Sequence, residues 1–479
     1  MPLSDLYDPE KFRQNGHRLV DQLADYLHRL RQHSDEEKVM NYRSPEDSYR
    51  LMNELLDAPN QPDITSLFEP FLRETIRMHH PTYLGHQTSV VAPLAALSEL
   101  VGSLLDPGIG VFEQGNLGVV LERILTERLA ALAGWPKGAS GFLTSGGTLG
   151  NLTALLCARQ VMAGGDVWKN GNGQQQLAFM ASEQSHYSVD RAVRSMGLGE
   201  NGLIKVPVDQ HYRMNPEALE QCLREAQKRG TKVLGVVASS CTTATGSYDP
   251  IGPIADFCEA NKLWLHVDGA HGACVLFSKK HRHLLAGIER ADSFIVDFHK
   301  MLLTPKLVTA LVFRNGQHSF ETFAQKASYL WEQDEKQEWY NLGKRTYELT
   351  KSFMSIRVYA LWKAYGPAVF EENVDRLYSL AQRFNELLKA QPDFETAVER
   401  PESNILCYRL INADWSPEKT NEVNAAIRQR LVEEGKFFIV QTRLGDKLYL
   451  RSTVINPMTE AEHLQGLIQE IRSLGSLIA

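Results

Sequence analysis

The strongest constraint on this chain is a rhythm of short apolar runs and helical segments, sustained from about residue 76 to 355. The helical "VVLERILTERLAALAGW" leads to "GFLT", then helical "LGNLTALLCARQVMA", then "LAFMAS", helical "YSVDRAVRSM" and "LIKVPV". "NPEALEQCLREAQKRG" reads as a helix with Asn215 as N-cap, Pro216 at the first position and Gly230 past the end. "KVLGVVAS", helical "IGPIADFCEAN", "LWLHVD", helical "HLLAGIERA", "SFIVDF" and "VTALVF" complete the series. Apolar strands that alternate with helices are covered on both faces. The pattern predicts an α/β domain on a mostly parallel sheet.

The flanks follow a different grammar. Residues 1–75 predict helices, and Phe12, Leu19, Leu23, Tyr26, Leu27 and Leu30 share one broad side of the first. Alone that side has nothing to bury against, so it must pack on the main body or on a second subunit. From 356 a long helical stretch, "SIRVYALWKAYG…FNELLKA", precedes strand "NILCYRLI". A helix from Ser416, strands "FFIVQ" and "LYLRSTVI" and a closing helix follow. The expected organisation is a helical segment 1–75, a large α/β domain 76–355 and a small α+β domain 356–479.

Composition narrows the function. A length of 479 residues suits more than one core. A formal net charge of -7 argues against a general nucleic-acid binder. No run approaches the roughly 18 apolar residues that suggest a membrane span. "MPLSDLYDPEKFRQNG" lacks the apolar centre of a secretory signal, so a cytoplasmic location is the expectation. The six cysteines form no CxxC pair, which speaks against a disulfide framework or a zinc ribbon, and no metal is expected.

Several motifs sit where strands end. "GLGENG" (197–202) fits a dinucleotide pattern only in letters, since it follows a helix and precedes a strand. "TSGGTLGN" (144–151) has the opposite and useful order. Gly146 and Gly147 allow close backbone approach, Ser145 and Thr148 add hydroxyls, and the helix start favours an anion. His186 lies after "LAFMA", Thr243 after "VLGVVA", Asp268 ends "LWLHV", and Lys300 follows "SFIVDF". Singly, each has a plainer explanation: a capped turn, a loop histidine, a hydroxyl-rich turn, a capping aspartate, a rim lysine. Together, at the carboxyl edge of one sheet, they suit pyridoxal phosphate (PLP), with Lys300 as covalent anchor and Asp268 beneath the ring nitrogen.

With "HPTYLGHQTS", "TSGGTLGN", "SHYSVDRA", "LWLHVDGAHGA" and "DFHKML" in this order, the chain resembles the PLP-dependent amino-acid decarboxylases. That family includes enzymes for glutamate, cysteine sulfinate, aromatic amino acids and 2,4-diaminobutyrate. The resemblance runs from about residue 40 to the end. It implies the aspartate-aminotransferase-like fold of PLP-dependent transferases and a homodimer with shared active sites. It also implies that Lys300 carries the cofactor, Asp268 pairs with the pyridinium and His186 stacks on the ring. Ser145, Gly146, Gly147, Thr148, Asn151, Thr243, Ala270 and His299 would complete the cofactor site. His86, Gln87 and Arg451 would face the substrate. The family's proton-donating loop tyrosine has no direct counterpart. An ungapped count reaches Glu335 or Lys336, flanked by Tyr329 and Tyr340. The expected reaction is decarboxylation of an L-α-amino acid with a short polar or acidic side chain. Transamination or oxidative decarboxylation to a carbonyl product, or a silent PLP-fold binding protein, are the alternatives.

Overall fold

The computed structural model describes residues 3–32, 34–323 and 339–478. These form two compact units, one of residues 87–379 with 400–405, the other of 1–86, 380–399 and 406–479.

The larger unit holds seven strands: β1 Ser140–Thr144, β2 Leu177–Ser182, β3 Leu203–Val206, β4 Lys232–Ser239, β5 Trp264–Asp268, β6 Ser293–Asp297 and β7 Thr309–Phe313. Their order is β1-β7-β6-β5-β4-β2-β3. Five of the strands, β3, β2, β4, β5 and β6, run parallel. Only β7 is reversed, pairing antiparallel with both β6 and β1. Strand β1 therefore points the same way as the parallel set, and six carboxyl ends share one edge. All residues of β1, β2, β5, β6 and β7 are buried, as strands covered on both faces require. Phe142, Phe179, Leu234, Trp264, Ile295 and Phe313 anchor the core. Each such side chain contributes about 1.5–3 kcal/mol by leaving water.

The smaller unit carries a four-stranded sheet of β8 Phe394–Thr396, β9 Ile405–Leu410, β10 Val440–Leu444 and β11 Lys447–Thr453, ordered β10-β11-β9-β8. Leu84, Phe384, Tyr408, Ile427, Leu450, Leu464 and Ile471 fill its core. In the helix Pro9–Gln32 only Leu30 is fully buried, and Phe12, Val20 and Leu23 are exposed.

Three local expectations change. "HLLAGIERA" is not a helix but two 3-10 turns, Arg282–Leu285 and Ile288–Arg290. Gly287 between them adopts φ +102, where a Cβ would lie 2.6 Å from the Gly252 nitrogen. The long stretch after 355 divides into Ser355–Tyr365 and Ala368–Lys389. Gly366 (φ +73) and then Pro367 break it. Pro216 opens a 3-10 turn, Pro216–Ala218, ahead of the helix Leu219–Lys228, although Asn215 does cap it. "GLGENG" is a turn, with Gly197 and Gly199 at positive φ.

Five of the six cysteines are buried and Cys222 is half-buried, all of them free thiols. Among the described residues no helix is long and apolar enough to cross a membrane. Among the same residues no cluster of three His, Cys, Asp or Glu could hold a metal ion.

Candidate active site

The shared carboxyl edge gathers Asp268 from β5, Lys300 after β6, His186 after β2, Thr243 after β4 and the turn after β1. At its centre is Asn151, on the second turn of the helix Gly147–Met162 and 1% exposed. Its amide nitrogen donates to Asp268 Oδ2 and to Ser188 Oγ, each at 2.9 Å. Its amide oxygen lies 2.9 Å from His266 Nε2. His266 Nδ1 meets Ser293 Oγ at 2.8 Å, and that oxygen accepts from Trp264 Nε1 at 3.0 Å. Ser188 Oγ in turn lies 2.8 Å from His186 Nδ1.

One proton arrangement satisfies every member. Trp264 donates to Ser293, Ser293 to His266 Nδ1, and His266 Nε2 to Asn151. Asn151 donates to Asp268 and Ser188, and Ser188 to His186 Nδ1. Both histidines are then neutral, and the proton of His186 sits on Nε2. Burial agrees with this. It pushes His266 down to about 4. It also lowers His186, with Lys300 adding to the fall and Asp268 opposing it. Asp268 additionally accepts from the Ala270 N–H at 3.3 Å.

Lys300 Nζ stands 3.2 Å from Asp297 Oδ2, with the lysine side chain 20% exposed and the aspartate 2%. Asp297 also accepts from the Thr309 hydroxyl and lies 3.6 Å from His299 Nε2. His299 is buried, its Nδ1 held 3.1 Å from both the N–H and the carbonyl of Val308. Segment 87–92 runs alongside: Ser89 N–H donates to the His299 carbonyl and Ala92 N–H to that of Leu303, both at 3.0 Å.

The turn after β1 fits a phosphate. Gly146, at φ +128, precedes a helix that has no side-chain cap, so its first N–H groups are open. A Cβ on Gly147 would lie 3.3 Å from Ala270 Cβ and 3.4 Å from either Asp297 oxygen, so only glycine fits without crowding. Ser145 gives its hydroxyl hydrogen to Glu348 at 2.6 Å. Thr148 is exposed in the first helical turn, and Thr243 is half-buried. Buried polar atoms lacking a hydrogen-bond partner among the described residues include Gln87 Nε2, Ser89 Oγ, Ser240 Oγ and Thr304 Oγ1. Ser240 is fixed beside the site, because its N–H donates to the Asp268 carbonyl at 2.8 Å. Open donors, a carboxylate held by Asn151 and the Ala270 N–H, and a lysine at the rim together suit PLP.

Of the residues expected from sequence, the larger unit brings together Lys300, Asp268, His186, Asn151, Ala270, His299, Thr243 and the 145–148 turn. Gln87 joins them through the 87–92 segment. His86 and Arg451 belong to the other unit. There the exposed His86 ring tilts against Phe438 at 5.8 Å, and Arg451 is buried on β11 opposite Val440. Tyr340 is half-buried and edge-on to Phe112 at 5.5 Å. Tyr329, with Glu335 and Lys336, lies outside the described residues. Sequence reasoning passed over His266, Ser188, Ser293 and Asp297. One signal was available: His266 and Asp268 are two apart on one strand and share a face.

The model of the pyridoxal-dependent decarboxylase conserved domain matches residues 45–411. The aromatic-L-amino-acid decarboxylase of Bacillus atrophaeus is 29% identical over 98% of this chain and 96% of its own length. The acidic amino acid decarboxylase GADL1 of Homo sapiens is 29% identical over 99% of this chain and 92% of its own. The crystal structure of mouse CSAD superposes with a TM-score of 0.90 at 26% identity, covering 98% of this chain and 99% of that one. The chain belongs to the pyridoxal-dependent decarboxylase family. It is a PLP-dependent carboxy-lyase that removes the carboxylate of an amino acid.

Proposed function

We propose that the substrate is an L-α-amino acid with a short polar or acidic side chain, released as the amine and CO2. The observation that carries this is Gln87. Its amide nitrogen is buried without a partner among the described residues, on a segment fastened to the His299–Lys300 turn. A carboxylate or sulfinate would satisfy that donor, whereas an aromatic side chain would leave it orphaned. A buried donor left unmet costs about 1–3 kcal/mol. The relatives alone do not choose, since those named for aromatic and for acidic amino acids are equally similar.

PLP supplies an electron sink for the pair left behind when CO2 departs. This chain supplies the rest. Lys300 would hold the cofactor. Asp297 sets a carboxylate 3.2 Å from the Lys300 amine. Asp268, oriented by Asn151 and the Ala270 N–H, would hold a proton on the ring nitrogen. His186, neutral, would stack on the ring. Gly146, Gly147 and Thr148 receive the phosphate with His299, and Thr243 and Ala270 line the ring. Tyr340 or Tyr329 returns the proton to the substrate carbon.

We further propose a cytoplasmic homodimer. Leu97, Leu100, Val101, Leu104 and Leu105 form an exposed apolar face on the helix Pro93–Leu105, and the N-terminal helix keeps another. Light scattering checks the dimer, with a monomer at micromolar concentration as the contrary result. The substrate test is a panel of L-amino acids assayed for CO2 and amine. Glutamate, aspartate or cysteine sulfinate should be turned over fastest. Turnover confined to dihydroxyphenylalanine or tryptophan would overturn the reading.

A further inference from the structure

Glu348 has no part in the chemistry described above, yet it touches the turn that receives the phosphate. Its Oε1 accepts the Ser145 hydroxyl at 2.6 Å, and its Oε2 lies 3.4 Å from the Ser145 N–H. The residues around Glu348 are tied down along the length of β1. Arg345, fully buried, reaches Ser140 Oγ at 3.2 Å and Ser319 Oγ at 3.0 Å. Lys351 bonds Glu122 at 2.7 Å, and Glu122 accepts the Leu143 N–H at 3.0 Å. The Gly343 N–H donates to the Gly110 carbonyl at 2.8 Å. At Gly110 a Cβ would lie 2.0 Å from the Leu349 carbonyl oxygen, so that contact admits no side chain. Residues 343–351 are thus a strap laid on β1, and Glu348 is where it meets the turn.

The serine's ordinary alternative explains why this matters. A serine at the mouth of a helix commonly folds its oxygen back onto a first-turn N–H. Here the helix Gly147–Met162 has no such cap, and the Ser145 hydroxyl is turned to Glu348 instead. The first-turn N–H groups are left open, as a phosphate requires. We infer that Glu348 is a positioning residue that holds Ser145 away from its own helix and so keeps the phosphate turn receptive. The inference rests on the PLP reading of this site.

The experiment measures PLP binding to the apoenzyme by equilibrium dialysis, with inorganic phosphate as a second probe, so that no turnover is needed. Glu348→Ala should raise the Kd for PLP at least tenfold and weaken phosphate in parallel, with the apoprotein's Tm unchanged. Glu348→Gln keeps an oxygen for the Ser145 hydroxyl and should recover most of the affinity. Ser145→Ala removes both the bond to Glu348 and a hydroxyl of the phosphate turn, so it lowers PLP affinity by itself and serves only as the background in which Glu348 has nothing left to hold. In that background Glu348→Ala should cost little more. A Glu348→Ala protein that binds PLP as well as wild type, or more tightly, overturns the inference. So does an equal tenfold loss in the Ser145→Ala background. Should Glu348→Ala not fold, Glu348→Asp, which shortens the reach to Ser145, takes its place with the same expected loss. A wild-type apoprotein that does not bind PLP would instead overturn the cofactor reading itself.

Discussion

Two lysine–carboxylate pairs in the larger unit invite comparison. Lys351 and Glu122 meet at 2.7 Å, and neither side chain has any exposure. Lys300 and Asp297 meet at 3.2 Å, with Lys300 20% exposed. The first pair is enclosed: Glu122 also takes the Leu143 N–H, and Lys351 lies 5.7 Å from the Phe142 ring centre. The second sits at a strand end, beside buried hydroxyls that have no partner among the described residues. Burial makes the first a structural tie that cannot be opened without loss. Partial access leaves the second open to a ligand, as the proposed role of Lys300 requires. On the proposed reading, the same two residue types serve stability in one place and chemistry in another.

The largest expected effect separates the two. Lys300→Ala should abolish amine and CO2 release while leaving the thermal midpoint within a few degrees of wild type. Lys351→Met should do the reverse at 25 °C. Stripping the partner from buried Glu122 costs about 3–5 kcal/mol, seen as a lowered denaturant midpoint. Near-equal stability for the two variants would erase the distinction.

Asp268→Asn comes next. Replacing the carboxylate by an amide removes the charge opposite the ring nitrogen and should lower kcat by roughly 10²–10⁴-fold, with folding preserved. Activity close to wild type would mean that the Asn151–Asp268 pair is structural, like Lys351–Glu122.

His266 gives a pH test. Burial holds its folded value at about 4 against an ordinary 6.5, so the fold favours the neutral ring. Its share of stability is complete above pH 6.5 and is lost as the pH falls towards 4, by roughly 3 kcal/mol in all. Asp249, pushed up to about 7 by burial, acts oppositely, its share present at low pH and lost as the pH rises through 7. The histidine contribution is therefore read as the difference between wild type and His266→Gln in urea unfolding at several pH values. A flat difference would contradict the neutral, wired histidine.

A smaller change sharpens the network. Ser188→Ala removes one acceptor of Asn151 and the donor to His186 Nδ1. It should cost about 1 kcal/mol in stability and change kcat more than KM.

These contrasts also mark what the sequence could reveal. Lys300, Asp268, His186 and the glycine turn were legible because each follows an apolar strand, and strand ends in a parallel sheet converge. The reversal of β7 was not legible, since an apolar run carries no direction. The wiring was hidden for a different reason. Asn151 reaches partners on β5 that are more than a hundred residues away, and Ser145 reaches Glu348 across two hundred. His266 was masked by the apolar run around it, and Lys351 gave no sign that it was the more deeply buried lysine. Local pattern reports which edge is functional, while long-range pairing decides which polar residues on it are held and which are free to react.

The central claim is that Lys300, and no other lysine, carries the cofactor. The direct measurement is borohydride reduction of the PLP-loaded protein followed by proteolysis and peptide mass mapping. A single reduced pyridoxyl adduct on the peptide containing Lys300 is the predicted result. An adduct on the Lys351 peptide, a spread over surface lysines, or none at all would contradict it.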